Sequence, residues 1–260
     1  VGDSFDGGDN NIFGLTGAGV YDNMITYQTP EFAGFQVTGQ YSFKNDSAEE
    51  DGVEGKATAD RYAGIAATYT IGNLQTVIAY DQMMWGSKET GANREKDQHN
   101  VYLGGNYDFG LLKLFAMGQY VKGARDFAGT EDFFDTPIEE GVALQSREGF
   151  DGWGLHLGTV MPVAGGDWTV AVYYADGELD DGTVSDAGVA LADVNVNVDI
   201  KFYGITTRYV YPLSEQASLY AGAGYGERKY DVSANVGTAR YSESPKEKIG
   251  QVYAGLSYVF

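Results

Sequence analysis

The chain has 260 residues, including 37 Gly, 20 Tyr and no Cys, and its formal net charge is −20. That acid excess argues against a nucleic-acid partner, whose phosphates need clustered Lys and Arg, and allows cations, divalent metals or positively charged solutes. No run approaches 18 apolar residues, which excludes a transmembrane helix; a membrane β-barrel stays open, because its alternating strands average out in a mean hydropathy of −0.29.

Residues 1–19, VGDSFDGGDNNIFGLTGAG, do not alternate and read as a loop. No secretory signal and no initiator Met stand at Val1, so the expectation is a processed chain or one that begins partway into a longer protein. The first clear strand signal is FQVTGQYSF, residues 35–43. Phe35, Val37, Tyr41 and Phe43 fall on one face, and Gln36, Thr38, Gln40 and Ser42 on the other. The pattern recurs, predicting strands at about 20–29, 33–44, 60–71, 74–85, 98–109, 111–122, 152–162, 167–176, 199–211, 216–229 and 248–260. Most are long enough for a tilted strand to cross a bilayer, where soluble strands average about 5–6 residues.

The predicted connections alternate in length. Short ones lie at 29–34, 71–73, 108–111, 162–167 and 212–216; long, acidic ones lie at 45–59, 86–97, 123–151, 177–198 and 230–247. Short turns at one rim and long loops at the other are the pattern of an outer-membrane barrel. Placing Phe260 outward puts Tyr258, Leu256, Ala254 and Val252 outward, with Ser257, Tyr253 and Gln251 inward. The same parity sends Leu112, Leu114, Ala116 and Tyr120 outward against Lys113 and Gln119. It sends Tyr203, Ile205 and Tyr209 outward against Thr206 and Arg208, and Leu219, Ala221 and Tyr225 outward against Ser218, Tyr220 and Arg228. An apolar outside and a polar inside suit lipid around a water-filled lumen. Trp85, Trp153 and Trp168 fit interfacial belts.

The segment YDNMITYQTPEFAGFQVTGQYSF, residues 21–43, resembles the segment after the constriction loop in general porins of the β-proteobacterial type. Asn23, Ile25, Tyr27, Thr29, Pro30, Phe32, Gly34 and Phe35 match that family's pattern, and the closing Tyr258-x-Phe260 resembles the barrel-assembly signal of outer-membrane proteins. The resemblance covers roughly residues 15–260. It implies an all-β, transmembrane antiparallel β-barrel of the 16-stranded porin type, lodged in a Gram-negative outer membrane and assembled as a homotrimer. Residues 1–260 would form a single barrel domain, with 1–19 as the end of the inward constriction loop and 20–260 as eleven strands. About five strands, roughly 100 residues, would precede Val1; a complete barrel of about 12 strands is the alternative.

The resemblance also implies a transverse field at the narrowest point, with Asp3, Asp6 and Asp9 on the loop facing Lys113, Arg208 and Arg228 on the wall. Separately, Asp176, Glu178, Asp180 and Asp181 in DGELDDGTVSD supply hard oxygen ligands, so Ca²⁺ or Mg²⁺ could bridge acidic loops to one another or to lipopolysaccharide phosphates; the spacing fails the EF-hand pattern. No other cofactor is expected. Of two histidines, His99 and His156, neither sits in a nucleophile motif, and no enzyme activity is expected. The function expected is passive diffusion of small hydrophilic solutes and ions, with a cation preference suggested by the acid excess. A smaller barrel with a specific-solute or enzymatic role, and a soluble β-rich surface adhesin, are the competing readings.

Overall fold

The computed structural model describes residues 21–45, 53–86, 96–125, 142–145, 148–186, 189–190, 194–236 and 238–259. The elements are β1 (Met24–Gln28), β2 (Phe35–Ser42), β3 (Arg61–Ile71), β4 (Leu74–Met84), β5 (Gln98–Asp108), β6 (Lys113–Ala124), β7 (Val142–Gln145), β8 (Phe150–Val163), β9 (Gly166–Asp186), β10 (Val189–Ala190), β11 (Val194–Pro212), β12 (Ala217–Val236), β13 (Ala239–Glu243) and β14 (Lys246–Tyr258). They form one antiparallel meander in chain order, with β7 and β10 attached to β9, and β13 and β14 both attached to β12. Among the described residues β1 pairs only β2, and β14 only β12.

All eleven strands expected from sequence are present, and the short connections hold. Val163 pairs Gly166 directly, leaving Ala164 and Gly165 as a two-residue turn at φ 50° and 83°. Positive φ at both central residues is the hairpin turn whose twist matches its strands, and glycine supplies the second at no steric cost.

The structure corrects the long connections. β9 continues to Asp186, β11 starts at Val194 and β12 runs to Val236, so much of the predicted 177–198 and 230–247 loops is paired strand. The physical reason lies in the sequence VNVNVDIKF, residues 194–202. It keeps strict alternation but reverses its polarity. Below Tyr203 the outward side chains are apolar, with Ile205 half exposed, and the inward ones are Thr206 and Arg208. Above it the outward side chains are Asn195, Asn197, Asp199 and Lys201, while Val196, Val198, Ile200 and Phe202 turn inward and are buried. They pack with Val121, Phe150, Leu179 and Tyr230 into the one hydrophobic cluster found among the described residues, at the long-loop end of β6–β12.

Candidate pore wall

The outer face fixes which side chains are left to face inward. Register carries Ala67, Ile78, Leu103, Gly118 and Leu155 across five neighbouring strands in one row. Ile78 is 55% exposed and Leu103 63%. Aromatics end this band toward the long loops: Tyr120, Trp153, Tyr174, Tyr203 and Tyr225. Two residues further along the same face stand Lys122, Asp151, Asp176, Lys201 and Glu227. Exposed apolar surface closed by aromatics and then charge is the profile of a wall in lipid.

The inner face of β1–β5 carries polar side chains that are bonded strand to strand. Gln28 donates to Thr38 Oγ1 at 3.2 Å, Gln40 to Thr26 Oγ1 at 3.4 Å, and Asn106 to Gln75 Oε1 at 3.1 Å. Asn100 donates to Asp81 Oδ1 at 2.6 Å. Glutamine and asparagine in these rows satisfy one another and still offer groups to water, as a hydrated wall requires.

The expected site residues separate into three groups. Asp3, Asp6 and Asp9 lie outside the described residues. Lys113 and Arg208 share one register row, Lys113–Val160–Thr169–Arg208, on the inner face. Lys113 Nζ stands 5.2 Å from the Phe115 ring centroid, and Arg208 Cζ stands 5.1 Å from that of Tyr220. Neither has an ion pair among the described residues. Arg228 stands apart, near the apolar cluster. Its Nη1 donates to Glu247 Oε2 at 3.3 Å and to Tyr230 at 3.3 Å, and its guanidinium lies 5.7 Å from the Phe202 ring centroid. Its side chain is only 15% exposed. Lys113 and Arg208 thus lie in one inner row with β8 and β9 between them, while Arg228 packs at the loop end.

Asp176, Glu178, Asp180 and Asp181 lie in strand β9, not in a loop. Alternation sends Asp176, Glu178 and Asp180 to the outer face; no cluster of three metal-ligating side chains occurs among the described residues. Glu178 and Asp180 line a cleft of about 410 Å³ with Lys96, His99, Lys122 and Asp151, on the outside of the wall. His99 hydrogen-bonds Tyr80 at 2.8 Å on that outer side, while His156 faces inward, stacked on Tyr173 at 5.5 Å. The two histidines are thus on opposite faces.

Sequence reasoning missed the inward apolar cluster. Its signal was the VNVNV alternation, whose apolar members have the opposite parity to the outward residues below them.

The model of the Gram-negative porin family matches residues 1–231. An outer membrane porin protein of Bordetella pertussis is 29% identical over 230 residues, covering 80% of this chain and 52% of its own. Outer membrane porin protein 32 of Delftia acidovorans is 26% identical over 208 residues, covering 80% of this chain and 47% of its own. The chain thus spans about half the length of the curated relatives it matches. Among solved structures, the anion-selective porin from Comamonas acidovorans superposes with a TM-score of 0.56 at 21% identity, covering 92% of this chain and 60% of that one. The apolar outer face, the polar inner rows and the matched family lead to one assignment: the chain belongs to the Gram-negative porin family, whose members are outer-membrane β-barrels.

Proposed function

We propose that the protein forms a water-filled channel for passive diffusion of small hydrophilic solutes and ions across the outer membrane. The observation that carries this reading is the alternation itself, with exposed Ile78, Leu103 and Ile205 outside and the Gln, Asn, Lys and Arg rows inside. The described strands would be part of a 16-stranded barrel, and three copies would associate. The cation preference suggested by the net charge finds no support in the described wall. There Lys113 and Arg208 stand without an ion pair, while Asp81 is held by Asn100. Charge close to the permeating ion outweighs loop charge screened beyond about 10 Å. The reading is therefore an anion preference, the same sense as that of the anion-selective porin from Comamonas acidovorans.

Planar-bilayer recording of the detergent-extracted protein in a KCl gradient tests both parts. Stepwise, ohmic openings with an anion-favouring reversal potential are expected. Openings with a cation-favouring sign would overturn the selectivity, and absence of openings from a correctly folded, heat-modifiable trimer would overturn the channel. Recovery of the trimer band only without heating tests the assembly.

A further inference from the structure

On the inner face, Arg208 shares a register row with Gly222 and Tyr253, across β11, β12 and β14. The adjoining row toward the short turns is Val210–Tyr220–Gly255. The two tyrosines therefore stand diagonally across β12 and β14, and each faces a glycine on the neighbouring strand. The rings use that room. The tip of Tyr253 lies over Gly222 and the tip of Tyr220 over Gly255, so close that neither glycine has space for a Cβ. The ring centroids are 6.2 Å apart, with planes tilted by 53°. Both rings stay partly exposed on the lumen side of the wall. The Arg208 guanidinium joins them, with Cζ 5.1 Å from the Tyr220 centroid. In the next row toward the long loops, Thr206–Gly224–Gln251, Gly224 leaves the wall low beside this group. A glycine inside a strand is suited to such close approach.

The charge of Arg208 is not spent within the wall. No carboxylate pairs with it among the described residues. Contact with a ring face holds a guanidinium in place without neutralising it. The group offers only donors, in a planar fork that fits a carboxylate. The rings restrict what else that anion carries. An aromatic face is electronegative, so a bare halide or phosphate gains nothing from Tyr220 and Tyr253, whereas the positive edge of another aromatic ring does. Neighbouring strands lie about 4.8 Å apart, so the Arg208 and Tyr253 backbones are separated by about 10 Å. One aromatic ring bearing one carboxylate can bridge that span.

We infer that Arg208, Tyr220 and Tyr253 form a subsite for small aromatic carboxylates, with the carboxylate on the guanidinium and the ring edge-on or offset against the tyrosines. The inference rests on the channel reading and names a solute class for it. An aliphatic acid engages Arg208 alone, and a neutral sugar leaves its charge unanswered.

Titration of benzoate into multichannel recordings in KCl at neutral pH tests this. Cyclohexanecarboxylate and acetate serve as controls of the same charge, and glucuronate as a sugar acid. Benzoate is expected to reduce the chloride current with a half-blocking concentration about 3-fold or more below that of cyclohexanecarboxylate, although the saturated ring is the more apolar. Tyr220→Leu/Tyr253→Leu should weaken block by benzoate about 5-fold and change block by cyclohexanecarboxylate by less than about 2-fold, whereas Arg208→Gln should weaken both. Lys201→Gln, on the outer face, should be blocked as the parent is. Heat-modifiable migration shows that each variant is folded; if the double variant does not fold, Tyr220→Leu replaces it, and the comparison of acids on the parent needs no variant. Equal block by benzoate and cyclohexanecarboxylate, stronger block by glucuronate, or undiminished block in the folded tyrosine variant would overturn the proposal. Open channels that benzoate does not block would overturn it too, with the channel reading left standing. Absence of channels would overturn the channel reading instead. Broadening of the fluorine resonance of 4-fluorobenzoate by the detergent-solubilised protein would then read the subsite directly, and equal broadening by the parent and the tyrosine variant would overturn it.

Discussion

Arg208 and Arg228 look alike in the sequence, since both are inward-facing arginines on long strands. Their surroundings separate them. Arg208 lies over Tyr220 in the row of Lys113, without an ion pair among the described residues, whereas Arg228 spends its charge on Glu247 and Tyr230 beside a buried core. Replacing Lys113 and Arg208 together by Glu should move the reversal potential toward cations, with single-channel recording as the check; Arg228→Gln should leave the sign unchanged and lower thermal stability instead. Glycine matters on the same scale. A methyl added at Gly222 would collide with the ring of Tyr253, which lies flat against the wall there. Gly222→Val should cost about 1–3 kcal/mol through overpacking, visible as a lower temperature of heat modification.

At the scale of the strand, the alternating pattern made the long strands and their two faces legible in the sequence, because a one-residue slip would exchange lipid-facing and water-facing side chains. The same reasoning stopped short on β9, β11 and β12. One polarity does not hold along the whole strand there: Ile205 and Ile200, on one strand, answer to different solvents. Ile205 meets lipid on the outside; Ile200, fully buried, meets a packed interior beyond the membrane. Parity gave the inward direction of Arg228 but not its neighbours, which come from β11 and β14. Nor could it tell which acids would end in a strand. Ile78→Arg on the outer face should destabilise the folded protein by about 2–4 kcal/mol, while Gln75→Arg on the inner face of the same strand should be tolerated, as urea unfolding in detergent would show. Ile200→Ala should cost about 2–5 kcal/mol and loosen the loop end, measured as faster proteolysis there.

Taken as a whole, the molecule has two regimes stacked along its strands. Over the span from the short turns to the aromatic band at Tyr120, Trp153, Tyr174, Tyr203 and Tyr225 it is apolar outside and polar inside. Beyond that band it is charged outside and apolar inside, as in a water-soluble β-structure. The reversal is what a sheet must do where its outer solvent changes from hydrocarbon to water. It is consistent with a net charge of −20 beside an exposed apolar girdle: among the described residues of β8–β12, carboxylates (Asp151, Glu178, Asp199 and Asp231) form a continuous row on the outer face beyond the aromatic band. It also explains why bulk charge is a poor guide to ion preference, since that row faces away from the lumen.

The absence of cysteine from the chain makes the central claim directly testable. Single cysteines would be placed at two consecutive positions of β11, Thr206→Cys facing the lumen and Ile205→Cys facing lipid, and a charged, water-soluble methanethiosulfonate added during single-channel recording. The account predicts stepwise conductance changes for Thr206→Cys and none for Ile205→Cys. Conductance changes for Ile205→Cys with a silent Thr206→Cys would contradict it, because the two faces of the wall would then be reversed.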